Sequence, residues 1–165
     1  MNKKGNQHLR CVLLLIFLIF MALAKPVPVR AANINISYSY LHKMYDSVSY
    51  VKSLKSRIGG MKVKNSRKFP TYYASGNKMI LGVNRNPKES GQEKYLYVQN
   101  TGNKKVLLMG VKIGMTSSAT KAKLVANGFR RRSATVYTRG EAGFVKLSMK
   151  KSKITGWKYY IEPTS

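Results

Sequence analysis

The residues able to carry chemistry are few. Past residue 31 the chain has one histidine, His42, and five carboxylates, Asp46, Glu89, Glu93, Glu141 and Glu162. Metal sites need several such ligands drawn together, and acid–base catalysis needs a titratable group held against a reacting one. These groups are scattered along the chain. A serine nucleophile would depend on His42, which falls on a helix or its approach and reads as a solvated or half-buried side chain. Glu141 and Glu162 are the one carboxylate pair worth weighing, but the first sits in a hairpin turn and the second near the C-terminus, so both are expected at the surface. The single cysteine, Cys11, opens an apolar run instead of closing one behind small residues, which is not the placement of a lipid-anchoring cysteine. The expectation is a protein that is not an enzyme and holds no metal or cofactor.

Binding chemistry is better supplied. Arg130, Arg131 and Arg132 follow a helix end in "NGFRRRSATVY". Two readings stay open. The cations can reach the last helix carbonyls and favour its dipole, or they can join Lys146, Lys150, Lys151 and Lys153 in one basic surface for phosphate-bearing polymers such as teichoic acid, nucleic acid or lipid headgroups. Aromatic residues stand among the cations: Tyr72, Tyr73, Tyr95, Tyr97, Trp157, Tyr159 and Tyr160. Neighbours on a strand face opposite ways, so each Tyr-Tyr pair sends one ring inward and one outward. Tyr72, Tyr97 and Tyr160 are assigned outward, where they pair with lysine stems across strands or form a contact surface. Trp157 is assigned to the core.

The elements that must position these residues follow from periodicity. "NINISYSY" alternates Ile34, Ile36, Tyr38 and Tyr40 with small polar residues, the period of a half-buried strand. Leu41, Met44, Tyr45, Val48, Val51, Leu54 and Ile58 then mark one helix face that ends at Gly59-Gly60, with Asp46 as an alternative N-cap. After the basic connection "MKVKNSRKF", strands are predicted over Thr71 to Ser75, Lys78 to Val83, Lys94 to Gln99 and Lys105 to Ile113, with "NRNPKESGQE" as an exposed loop. Thr116 or Ser117 caps a second helix whose apolar stripe is Ala119, Ala122, Leu124 and Val125. Asn127-Gly128 ends that helix, and Phe129 folds back on it. "ATVYTR", "GFVKLSMK" and "KITGWKYYIE" complete the set as three strands.

The first 31 residues read as an export signal. Lys3, Lys4 and Arg10 precede the apolar run Cys11 to Ala24, too short for a membrane span, and Val29-Arg30-Ala31 offers a cleavage site, with Ala22-Leu23-Ala24 as a second. An uncleaved segment would leave a membrane tether. Removing residues 1 to 31 leaves 134 residues, one compact domain. Of the 31 basic residues, five lie in the leader and all five acids lie beyond it, so the net charge falls from +26 to +21. Such a field repels copies of the chain, favours a monomer and draws polyanions.

The two halves match in kind. "TYYASGNKMILGV" stands against "TVYTRGEAGFVKL" with Tyr73 opposite Tyr137, "EKYLYVQN" stands against "GWKYYIEP", and each set follows a helix. The fold class expected is α+β: two helix-plus-antiparallel-strand units, 32–110 and 111–165, sharing a core because one helix on three strands buries little alone.

Gly114, Met115 and Thr116 before the helix, Asn127 and Gly128 after it, and Trp157 with Tyr159 near the end resemble the small outer-membrane assembly lipoproteins of the SmpA/OmlA type. In tandem, the unit is similar to the β-lactamase inhibitor protein fold. The second unit, Val111 to Pro163, carries the resemblance directly; the first carries it through the repeat. The lipid-anchoring cysteine of the assembly lipoproteins is missing, which counts against an outer-membrane role. The lysine-rich composition suggests a protein released by, or held at the wall of, a Gram-positive cell. The resemblance implies a secreted protein that grips a protein partner on its exposed sheet face. The charge alone implies instead an anionic-polymer binder at the wall. Salt separates them, since polymer binding falls steeply with ionic strength.

Overall fold

The structure, a computed structural model, describes residues 32–85, 94–140 and 143–161. Residues 1–31, read above as an export signal, and the acids Glu89, Glu93, Glu141 and Glu162 lie outside the described residues, so the readings made of them are not addressed by it.

The alternation of "NINISYSY" does not carry the strand to Tyr40. Strand β1 is Ile34–Ile36, and Ser37 turns the chain as the N-cap of helix α1, Tyr38–Asp46, its side chain accepting a hydrogen bond from the Tyr40 amide at 3.2 Å. A serine cap satisfies an amide that the helix leaves unpaired, and that overrides a period-two pattern only eight residues long. Nor is the stripe from Leu41 to Ile58 one helix. Ser47, extended at φ −146, breaks it and caps α2, Val48–Ile58. The stripe still faces inward, with Leu41, Met44, Val51 and Leu54 fully buried, and α2 stops at Gly59 as expected.

Eight strands form one antiparallel sheet: β2 Lys62–Val63, β3 Tyr72–Gly76, β4 Met79–Asn84, β5 Tyr95–Asn100, β7 Arg130–Arg131, β8 Val136–Arg139, β9 Gly143–Lys150 and β10 Lys153–Ile161. Their spatial order is β2-β3-β4-β5-β10-β9-β8-β7. β2 falls in the basic connection, where no strand is predicted. The expected strand Lys105 to Ile113 shortens to β6, Val106–Leu108, which pairs in parallel with β1. Beyond it Met109 and Gly110 take positive φ of 49° and 79°, and Leu108 and Val111 exchange both backbone hydrogen bonds around that turn. Asn100 is buried and satisfied, its side chain bonding the backbone of Gly102, Asn103 and Val106 and so fixing the path from β5 to β6.

Helix α3, Ser117–Ala126, is capped by Thr116 and ends at Asn127-Gly128, and Phe129 folds back with its amide bonded to the Leu124 carbonyl at 3.0 Å. Its buried positions are Thr120 and Leu124, whereas Ala119, Ala122 and Val125 are exposed, against expectation. A threonine fits there because its hydroxyl donates to the Thr116 carbonyl at 2.8 Å, so no polar atom is stranded.

The fold class is α+β, with the helices and the β1–β6 pair contributing to one apolar cluster with one face of the sheet. Ala74, Leu81, Val98, Tyr159, Val145 and Tyr137 lie side by side across six strands on that face, none more than 1% exposed. Trp157 is 1% exposed and belongs to the next row, between Asn100 and Leu147. The expected register of the halves fails by one residue. Tyr73 points to the other face, while Tyr137 lies in the core beside Val145. An odd offset reverses the face, because side chains alternate with period two. A correspondence that keeps faces sets Tyr137 against Tyr72 or Ala74.

Candidate functional site

The face of the sheet turned away from the helices carries its own rows. Across β3, β4, β5, β10, β9, β8 and β7 run Tyr73, Gly82, Tyr97, Tyr160, Phe144, Thr138 and Arg130. The row beside it runs Ile80, Gln99, Lys158, Lys146 and Val136.

One part of this face is covered. Phe69, from the connection before β3, lies over Gly82; a Cβ there would approach its ring to 2.7 Å. The ring sits 5.8 Å from Tyr73, 5.7 Å from Tyr95 and 5.6 Å from Tyr97, and is only 6% exposed. Lys68 places its ammonium 5.6 Å from the Phe69 and Tyr95 ring centres, within cation–π range.

Beyond it the rings of Tyr97, Tyr160 and Phe144 are half-buried. Tyr97 and Tyr160 are Cα partners, and Tyr160 stacks on Phe144 with centroids 5.1 Å apart and planes 8° from parallel. Lys158 holds its ammonium 6.0 Å from the Tyr97 ring centre. The Tyr97 hydroxyl donates to Gln99 Oε1. Burial pushes its pKa above the ordinary phenol value, and the nearby Tyr73 hydroxyl adds to the rise, so it is a neutral donor at physiological pH. Flat rings, lysines and a fixed hydroxyl form a surface for contact and hydrogen bonding.

Of the tyrosines assigned outward, Tyr97 and Tyr160 are on this face and adjacent. Tyr72 is not: it pairs with Val83 on the core face and is 8% exposed, while Tyr73 takes the outer position. Two contributors were missed. The alternation of Val145 and Leu147 with Phe144 and Lys146 would have placed Phe144 outward. Nothing local to "KFP" announces that Phe69 crosses the sheet to reach a glycine on β4.

The arginines divide. Arg130 and Arg131 form β7, where alternation sends them to opposite faces. Arg131 donates to the Ser133 carbonyl at 2.9 Å and shares a cleft with Thr116, Lys121 and Ser152. Arg132 donates from Nε to the Thr138 hydroxyl at 3.2 Å and shares another cleft with Arg130 and Arg139. The three therefore make no single surface. The cation that reaches the helix end is Arg139, whose Nη1 donates to the Asn127 carbonyl at 2.7 Å.

His42 is exposed and meets the Tyr38 ring edge-on at 4.4 Å. Among the described residues no three of His, Cys, Asp and Glu gather where a metal could bind, and no helix is long and apolar enough to cross a membrane. The residues carrying the family resemblance serve locally as a glycine turn at φ 90° (Gly114), a helix cap (Thr116), a helix end (Asn127 and Gly128) and core rings (Trp157 and Tyr159). No protein-family model matches the chain, and no curated protein or solved structure matches it significantly.

Proposed function

We propose that residues 32–165 are a secreted or wall-associated, non-catalytic binding domain that takes a partner protein of acidic surface on the outer sheet face formed by Tyr97, Tyr160, Phe144, Lys146 and Lys158. The observation carrying this reading is the row of half-buried rings that crosses three strands of that face. Tyr97, Tyr160 and Phe144 lie side by side on β5, β10 and β9, with Lys158 and Lys146 in the neighbouring row, and Phe69 packs against Tyr97 from the β3 side. Half-buried aromatic residues that can also hydrogen-bond suit protein contact, and flanking lysines select an acidic counterpart.

We propose further that the domain is a tandem of two units of the kind found in the β-lactamase inhibitor protein. Support comes from strand order: β2-β3-β4-β5 on one side is mirrored by β7-β8-β9-β10 on the other, and the last strand of each set meets at the centre. The first set follows α2 and the second follows α3. That arrangement puts Tyr97 and Tyr160 at the seam, where residues of both units can reach one ligand. Export rests on the leader composition of residues 1 to 31.

The test is retention of partners from envelope and culture fractions by the wild-type domain and by a Tyr97→Ala/Tyr160→Ala variant, at low and high salt. A shape-matched contact survives salt and is lost in the variant; simple polymer adsorption does the reverse.

A further inference from the structure

Arg130, Arg132 and Arg139 converge on a cleft of about 400 Å³ completed by Gly128, Thr138 and Gly140, at the β7 edge of the sheet. Like charges gathered in one cleft repel, so their convergence is favoured only if something holds them or neutralises them. Two are held. Arg139 donates Nη1 to the Asn127 carbonyl at 2.7 Å and lays its guanidinium 3.7 Å above the centre of the Tyr38 ring. Gly128 makes room for it: φ is +80°, and a Cβ there would lie 3.2 Å from Arg139 Nε. Arg132 is tethered through Nε to the Thr138 hydroxyl, and Thr138 is itself only 7% exposed. Among the described residues these contacts engage Nη1 of Arg139 and Nε of Arg132, one nitrogen of each guanidinium fork. Arg130 stands exposed at the rim. Among the described residues the only carboxylate is that of Asp46, and its ion-pair partner is Lys94.

We infer that this cleft binds a phosphate oxyanion. Pre-oriented guanidinium forks match tetrahedral oxyanions through paired N–H donors, where lysines would offer only point charges. A volume of about 400 Å³ accommodates the phosphate with a substituent, so both inorganic phosphate and the phosphodiester of a polymer present the chemistry that fits. The cleft lies at the β7 end of the sheet, with Thr138 beside Phe144, and the inference does not depend on the reading given to the Tyr97–Tyr160 pair.

The test is calorimetric titration of the domain with inorganic phosphate and, separately, with short poly(glycerol phosphate), ionic strength being held constant with sodium chloride. Saturable binding is expected, weakened about tenfold or more by Arg130→Gln or Arg132→Gln, each of which removes charge-assisted hydrogen bonds. Arg131→Gln, on the other face, should leave it within about twofold, as should Tyr97→Ala/Tyr160→Ala. Because Arg130 and Arg132 are exposed, unfolding temperatures close to wild type are expected and exclude misfolding as the cause. Tighter binding per phosphate by the polymer identifies a phosphodiester chain as the source, and equal binding identifies the free ion. No saturable binding of either probe would overturn the inference. So would an Arg131→Gln variant as weak as Arg132→Gln, since that is the behaviour of diffuse charge.

Discussion

Tyr97 and Tyr160 face each other across the β5–β10 pair, the central seam of the eight-stranded sheet. On the outer face Phe144 stacks on Tyr160, Lys158 approaches Tyr97, and Phe69 packs against Tyr97 from the β3 side. The same seam presses Val98 against Tyr159 on the core side, so core and candidate surface share the same two strands.

Trp157→Ala should lower unfolding free energy by about 3–5 kcal/mol, because the ring is fully buried and its removal leaves a cavity at the seam. Urea unfolding followed by far-UV circular dichroism measures this. In the wild type the lone tryptophan also gives a fluorescence signal that should shift to longer wavelength on unfolding. An unchanged urea midpoint for the variant would contradict the packing described.

Gly82→Val should displace Phe69 from the sheet, since even a Cβ at this position would meet that ring at 2.7 Å. The expected loss is about 1–3 kcal/mol, the range for overpacking a filled site. A proteolysis assay should also show new cleavage in the Lys68-Phe69 connection. Protection equal to wild type would mean that the aromatic cover does not depend on the glycine.

Alkaline unfolding should depend on Tyr159. Burial raises its pKa far above the ordinary value, the nearby Tyr38 adds to the rise, and Arg139 lowers it only partly. The raised folded-state value means that the unfolded chain loses this proton first. Stability is therefore fully present below about pH 10 and falls as pH climbs beyond it, by up to about 1.4 kcal/mol per unit. The hydroxyl has no hydrogen-bond partner among the described residues, so Tyr159→Phe should cost little at neutral pH and should flatten the decline above pH 10. Equal alkaline slopes for wild type and variant would contradict this.

Legibility in the sequence followed the strength of local signals. Trp157 and Phe129 are buried as bulky apolar rings are expected to be, and Leu124, Leu41, Met44, Val51 and Leu54 face inward as the helical period predicts, although Ser47 divides the first stripe between two helices. The strand in "NINISYSY" was read too long because a serine cap at Ser37 competes with alternation, and that contest is settled by what Leu41 and Met44 can bury. Tyr72 and Tyr73 could not be told apart from their own dipeptide, since facing depends on the register with β4, a nonlocal property. Tyr97 and Tyr160 were singled out separately, yet their adjacency needs the β5–β10 pairing, which joins residues about sixty positions apart. The arginine run was legible as charge but not as a strand that divides it between two faces.

The most direct measurement is capture from envelope and culture fractions on immobilised domain, wild type against Tyr97→Ala/Tyr160→Ala, at low and at high salt. The expected result is a defined acidic protein held by the wild type at both salt concentrations and lost from the folded double variant. Equal capture by both proteins, or capture by the wild type that vanishes at high salt, would contradict recognition of a protein through the outer sheet face.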